Sequence, residues 1–324
     1  MAEGRFERIA VLGLGLLGGS VALAARERGA ARSVVGTGRR REALEEAARR
    51  GVIDASASVE RAVDAADLVV LATPVTAMAA QLQRAAPHLR PGTVVTDVGS
   101  VKGVLAETLP GLLPPGVPYV GSHPMAGSHL RGVEHARADL FVDAPCVMTP
   151  TPQSDPEVVE RLAAFWTRLG ARVVRRDPLA HDAEVAWVSH VPHVLAFAFA
   201  ESLGAAPDAA GQLGGSGFRD FTRIAQSDAE LWSDILVANA KSIAGPLREV
   251  AEVLGRFAEQ LEAGDAEGLE RAIARARAVL ARAQGGSDAE GAVPTDDSDA
   301  RSGGANPEIQ AAPEAATPKG KKNE

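Results

Sequence analysis

The sequence predicts an α/β protein: a Rossmann-type, doubly wound parallel sheet followed by an all-helical C-terminal domain. Three observations predict it. From residue 8 to about 177, short β-rich apolar runs alternate with amphipathic helical patterns. A Gly-x-Gly-x-x-Gly turn, Gly13 to Gly18, joins the first run to the first helix. From about residue 178 the strand pattern stops and only helical periodicity continues.

Taken in order, "RIAVLGLG" is a short apolar run ending in glycines, and "SVALAARERG" continues with helical spacing. "SVVGTG" is a second strand, and "REALEEAARRG" a second amphipathic helix stopped by Gly51. "DLVVLATP", "TVVTDVGS", "VPYVGSHP" and "APCVMTP" are further short runs, each closed by Gly, Ser or Pro. "DPEVVERLAAFWTRLG" is a helix with Asp155 as N-cap and Gly170 at its end, and "ARVVRRD" closes the set. Beyond it, "PLAHDAEVAWVSHVPHVLAFAFAESLG" is long and apolar, with Pro192 expected to kink or break it. Two more helical stretches follow. The expected domains are therefore 1–177, dinucleotide-binding; 178–284, helical; and 285–324, a tail with no aromatic residue and no leucine. The tail lacks the apolar surface needed to offset ordering and is expected to be disordered. The helical part carries more apolar face than so short a bundle can bury, so a subunit contact is expected.

Composition excludes several classes. At 324 residues the chain exceeds one simple core, and 46% apolar with 23% charged residues is an ordinary globular balance. A net charge of −8 with no basic stripe argues against nucleic acid. No apolar run reaches the roughly 18 residues expected of a membrane span. "MAEGRFERIAVLG" lacks the basic and apolar regions of a signal peptide. A single cysteine, Cys146, excludes an internal disulfide and fits a reducing compartment, so a cytoplasmic location is expected. Before the tail only Lys102 and Lys241 break the preference for arginine.

The glycine turn gives the first functional reading. Gly13 suits a tight turn, Gly15 a close backbone approach to a pyrophosphate, and Gly18 close helix packing. Leu16 and Leu17 lie at the helix N-terminus, which attracts the anion. Thr73 and Pro74, closing "DLVVLATP", are counted with the cofactor side. An NAD site usually places an acid about 20 residues on, to hold the ribose 2′-hydroxyl. Here that position is Gly38, followed at once by Arg39, Arg40 and Arg41. Guanidinium forks match a 2′-phosphate, so NADP is favoured over NAD. The alternative is that the arginines are a solvated cap on the next helix.

Seven histidines occur, at 88, 123, 129, 135, 181, 190 and 193. His123, His129 and His135 are six apart, which fits no helical metal pair, and there is no HExxH, so no metal is expected. His123 ends a late strand-like run, and in such sheets ligands bind outside the carboxyl ends of the strands. "TDVGSVKG" ends the preceding strand and brings Ser100 and Lys102 to the same side.

"GLGLLGGS", "DVGSVKG", "GSHPMAGS", "SHVPH" and "GFRDFTRIAQSD" together resemble the prephenate dehydrogenase family, with its arogenate and cyclohexadienyl relatives. The resemblance spans roughly residues 8 to 283. It implies an oxidative decarboxylation in tyrosine biosynthesis: hydride leaves a hydroxyl-bearing ring carbon for the nicotinamide, carbon dioxide leaves the opposite carbon, and the ring becomes aromatic. By resemblance, His123 accepts the hydroxyl proton, and Ser100 hydrogen-bonds that hydroxyl. Arg223 grips a substrate carboxylate, and His193, Asp220 and Trp232 line the substrate side. For Asp220 and Trp232, orienting Arg223 and filling the core are the plainer alternatives, and for His190 a structural role is favoured. Many relatives carry Glu where this chain has His129. A histidine there suits the keto-acid of prephenate better than the ammonium of arogenate. The resemblance also implies a homodimer through the helical domain. Two rival readings remain: another Rossmann-plus-helical dehydrogenase, which would want a lysine or another acid on the long interdomain helix, where this chain offers "SHVPH" and no lysine, and a non-catalytic NADP sensor.

Overall fold

The computed structural model describes residues 4–128, 130–207 and 210–285. The described chain divides into two compact units, 1–255 and 256 onward. In chain order the first unit contains β1 (Phe6–Leu12), α1 (Leu16–Glu27), β2 (Ala31–Thr37), α2 (Arg41–Arg49), β3 (Ala55–Ser56), α3 (Val59–Val63), β4 (Leu68–Leu71), α4 (Val75–Ala85) and β5 (Val94–Asp97). There follow α5 (Gly103–Thr108), β6 (Gly121–Pro124), β7 (Pro145–Thr149), α6 (Pro156–Arg168), β8 (Arg172–Arg175), α7 (Pro178–Val185) and α8 (Val191–Ser202). Helices α9 (Ser216–Arg223) and α10 (Ala229–Ala238) precede α11 (Ala240–Glu262), which runs into the second unit. That unit continues with α12 (Ala266–Gly285). Gly264, at φ +66°, turns the chain there, and Asp265 Oδ1 accepts the Gly268 N–H at 2.8 Å.

Five strands form a parallel sheet in the order β3-β2-β1-β4-β5. Its central strands are buried on both faces, which is why they read as unbroken apolar runs. Side chains alternate faces along each strand. Ile9, Val11, Leu68 and Val70 join one core under α1 and α6, while Ala10, Leu12, Val69 and Leu71 join the other under α3 and α4.

The single doubly wound parallel sheet expected from the sequence is modified at its late edge. Tyr119 pairs with Val95 through one parallel bridge. The chain then leaves β5 and, as β6, pairs antiparallel with β7, which pairs parallel with β8. Asp155 caps α6 as expected, accepting the Glu157 N–H at 2.8 Å. Pro192 does not end the long helix, which runs from Pro178 to Ala205. The irregularity lies just before it, a π-helical turn over Ala186–His190, and Pro192 sits in the first turn of α8, where a missing N–H is tolerated.

The whole run Pro178–Ala205 is helical, and an 18-residue stretch of it reaches a mean hydropathy of 1.2, enough by length and composition to cross a membrane. The sequence reading had no such segment, because polar residues interrupt its apolar runs. The helix is nonetheless built into the fold: His181, Asp182 and His190 on it are buried and hydrogen-bonded. The helical part has a small core of its own around Ala186, Val191 and Ile243. Val188 and Val237 are each 72% exposed, in keeping with the surplus apolar face read from the sequence.

A buried ion pair joins β5 to β6. Lys102 Nζ meets Asp97 Oδ2 with both side chains fully buried, and donates also to the Ser122 carbonyl at 2.8 Å. Asp97 Oδ1 accepts the Tyr119 hydroxyl at 2.9 Å and the Ser122 N–H at 3.2 Å. Lys102→Met is expected to strand the Asp97 carboxylate and to cost about 3 to 5 kcal/mol, read from the denaturant midpoint. A loss under about 1 kcal/mol would mean water reaches the pair.

Candidate active site

The glycine turn has the dimensions a dinucleotide needs. Gly13 is at φ +112°, and a Cβ there would lie 2.6 Å from the Ala72 carbonyl oxygen. A Cβ on Gly18 would press on the Gly13 backbone and lie 2.9 Å from the Ala72 side chain. At Gly15, the N-cap of α1, an added Cβ would meet nothing within 4 Å. The backbone there is open toward the helix N-terminus, beside the N–H groups of Leu16 and Leu17. Thr73 follows β4 next to Gly13, and its hydroxyl is buried with no partner, while Pro74 caps α4. An open backbone cradle and an orphaned hydroxyl fit a pyrophosphate-bearing cofactor. At the end of β2, Gly38 and Arg39 to Arg41 are exposed. Arg41 is held by Glu45 at 2.7 Å, and among the described residues Arg39 and Arg40 form no salt bridge.

His123 lies in β6, 9% exposed, and its strand is fixed from below. The Thr96 hydroxyl donates to the Val120 carbonyl at 2.8 Å, the Ser122 hydroxyl lies 2.9 Å from Thr96, and Trp166 Nε1 donates to Ser122 at 3.0 Å. Ser100 sits partly buried in the loop between β5 and α5. Among the described residues it forms no hydrogen bond to His123. Burial, then the charges of His181, Lys102 and His190, push the His123 pKa well below the usual imidazole range, so the ring is neutral near pH 7.

His123 Nδ1 is 2.8 Å from His181 Nε2, and His181 Nδ1 is 2.8 Å from Asp182 Oδ1. Sequence reading gave His181 no role and passed over Asp182. The local signal is small. Asp177 caps α7, accepting from Leu179 and Ala180, with Pro178 in the first turn. That cap sets "HD" one turn in, on the buried side.

A second cluster gathers the predicted substrate-side residues. The His193 ring stacks on Trp232 with centroids 3.7 Å apart, and Phe197 stands edge-on to Trp232 at 6.0 Å. Stacking makes Trp232 a wall of this cluster. His193 Nδ1 donates to the carbonyl of Ser189, a residue of the π turn, at 2.9 Å. Burial lowers the His193 pKa; the bond to Ser189 opposes this and the charge of Arg223 adds to it. Arg223, the last residue of α9, is therefore within electrostatic range of His193. Asp220 and Arg223 are both exposed, and no ion pair joins them among the described residues. His129 lies outside the described residues. No cluster of His, Cys, Asp or Glu able to hold a metal occurs among the described residues.

His190 is buried beside Asn239, whose Nδ2 donates to the Asp182 carbonyl at 2.8 Å and lies 3.1 Å from His190 Nδ1. Two further contacts reach across from α10 and its cap. Arg131, after β6, pairs with Asp228, and Asp234 accepts the Thr76 N–H of α4 at 3.3 Å.

The chain matches the family model described as prephenate dehydrogenase, nucleotide-binding domain, over residues 21–175, and the corresponding dimerization-domain model over 177–275. It belongs to the prephenate dehydrogenase family. It is 33% identical to the prephenate dehydrogenase of Bacillus subtilis, over 82% of this chain and 73% of that one. It is 33% identical to the cyclohexadienyl dehydrogenase of Zymomonas mobilis, over 74% and 83%. Among solved structures, prephenate dehydrogenase of Aquifex aeolicus, in complex with hydroxyphenyl propionate and NAD+, superposes with a TM-score of 0.78 at 29% identity, covering 86% and 97%. Arogenate dehydrogenase of Synechocystis superposes at 0.72 and 30%, covering 85% and 99%. The chain is thus a nicotinamide-dependent dehydrogenase of this family. The family models meet at residues 175–177, beside the α7 cap, whereas the compact units divide within α11.

Two outcomes are expected. Gly15→Ala should weaken dinucleotide binding at least about tenfold in a fluorescence titration while leaving the melting temperature within a few degrees, since no protein atom opposes the new methyl. Stability should also fall on acidification. Burial, opposed by Asp182 and aided by His181 and His193, lowers the His190 pKa to about 4, against 6.5 in the unfolded chain. The unfolded state therefore binds the proton first, so this stabilisation is complete above about pH 6.5 and is lost as pH falls toward 4. Urea midpoints from pH 7 to 4.5 should show the slope, and His190→Gln should flatten it.

Proposed function

We propose that the protein carries out the oxidative decarboxylation of prephenate to 4-hydroxyphenylpyruvate, with His123 as the proton acceptor. The observation that carries this reading is a buried, neutral imidazole, held by its own strand beside the loop of Ser100. A neutral ring is the form able to take a proton from the ring hydroxyl. A bound nicotinamide supplies the hydride acceptor. His123 takes the hydroxyl proton as the ring carbonyl forms. Loss of carbon dioxide then sends its electron pair through the ring to that oxygen, and the phenolate recovers the proton from His123. No net base is needed, and aromatisation drives the sequence forward, so the protein chiefly orients and dries the site.

Ser100 is the hydroxyl's second partner in this reading. Arg223, with its planar fork, holds a substrate carboxylate, and His193 and Trp232 line the substrate side near it. Asp220 adds an acid on the same helix as Arg223. Prephenate is preferred over arogenate because His129 replaces an acid that would suit an ammonium. Arg39 and Arg40, without salt bridges among the described residues, and Gly38 in place of an acid favour NADP over NAD. The dimerization-domain match and the exposed apolar faces of the helical part support a homodimer. A single, buried cysteine fits the cytoplasm.

Turnover of prephenate and arogenate with each nicotinamide tests the reading. Fastest turnover with prephenate and NADP is expected. Preference for NAD would make the arginines a solvated cap, and no turnover with intact dinucleotide binding would favour a sensor. His123→Asn should retain substrate binding and lose about 100-fold or more in kcat, with the wild-type acidic limb of kcat/KM lying below pH 6.5. Arg223→Ala should raise KM by roughly 30- to 1,000-fold, with the smaller change in kcat. An unchanged KM would put the carboxylate elsewhere.

A further inference from the structure

We propose that His181 and Asp182 are positioning residues that lock His123 as its Nδ1–H tautomer, so that Nε2 is the bare nitrogen offered to the substrate. The proposal rests on the reading of His123 as proton acceptor and extends it to two residues with no assigned role.

Lys102 donates its backbone N–H to Asp182 Oδ1 at 2.7 Å, and Gly103 donates to Oδ2 at 2.8 Å. With a backbone donor already on each oxygen, this carboxyl group acts as an acceptor, and His181 Nδ1 must donate to it. A neutral His181 then has a bare Nε2, which can only accept. The partner 2.8 Å away is His123 Nδ1, so that nitrogen carries the proton. One tautomer propagates from a fixed carboxylate through two rings, and the second-ring proton decides which nitrogen of His123 is basic.

Burial makes the arrangement firm. His181 is 1% exposed and Asp182 4%, so water cannot replace either partner. Asp182 is also tied from the other side, since its carbonyl accepts from Asn239. The chain of contacts therefore does not rotate as a unit. When His123 gains its second proton, Nδ1–H still faces an acceptor, and the developing positive charge lies one ring from the carboxylate. The other groups facing His123 are Lys102, from the loop before α5, and His190, from the π turn. Both oppose that charge, as does His181 itself, so the His181–Asp182 pair acts by fixing which nitrogen carries the proton and not by stabilising the imidazolium.

Nitrogen NMR on histidine-labelled wild-type protein with dinucleotide bound tests the assignment without any substrate. A bare Nε2 and protonated Nδ1 on His123 are expected; protonated Nε2 overturns the proposal. Mutation supplies a second readout. In His181→Gln the amide oxygen can accept from His123 while its NH2 donates to Asp182, so kcat should stay within about tenfold. His181→Leu should lose about 100-fold or more in kcat, with KM and dinucleotide affinity within about threefold. Equal losses in the two variants, or an unaffected leucine variant, overturn the proposal. If wild-type protein turns over no substrate, the functional reading fails, while the NMR result still decides the tautomer.

Discussion

Two buried carboxylates, Asp97 and Asp182, hold the loop between β5 and α5, and the site depends on that suspension. Asp97 takes the Lys102 ammonium and the Gly99 N–H, and Asp182 takes the backbone N–H of Lys102 and Gly103. Lys102 thus uses its side chain on one carboxylate and its backbone on the other. Burying a charge pair costs desolvation free energy unless the remaining polar positions are satisfied. Here they are: Asp97 accepts four donors in all, from Gly99, Lys102, Tyr119 and Ser122. The gain is geometric. Ser100 is carried on a loop that cannot drift, and the strand of His123 is tied to the same pair.

The departure from a simple parallel sheet serves the same end. By leaving β5 after one bridge and pairing antiparallel with β7, the chain carries His123 into a buried position against α7. A dry, neutral imidazole results from this turn of the chain. On the other side, the Ser189 carbonyl in the π turn accepts from His193, whose ring stacks on Trp232.

Much of this was legible in the sequence because it is governed by local rules. The Rossmann half follows from short unbroken apolar runs alternating with helical patterns, and from glycines that alone tolerate the turn at Gly13. The caps at Asp155 and Asp177 follow from short side chains that accept from nearby N–H groups, although only the first was read in advance. His123 was singled out by its place at the end of a strand-like run, whereas His193, Trp232 and Arg223 were named only through the family resemblance. Pro192 marked where the long helix is irregular, but the irregularity takes the form of a π-helical turn within a continuous helix.

What the sequence by itself determined, then, is the alternation of elements, the dinucleotide turn, and which residue types stand at the chemical positions. What only the tertiary structure decided is their mutual arrangement. His181 and Asp182 lie 58 residues or more from His123 along the chain, and Asp182 meets Lys102 across a separation of 80. No periodicity or local motif encodes such a contact. It arises when α7 packs against α5 and β7, which brings His181 to His123 and Asp182 to the start of α5, and the same packing removes the water that would otherwise satisfy every one of these groups.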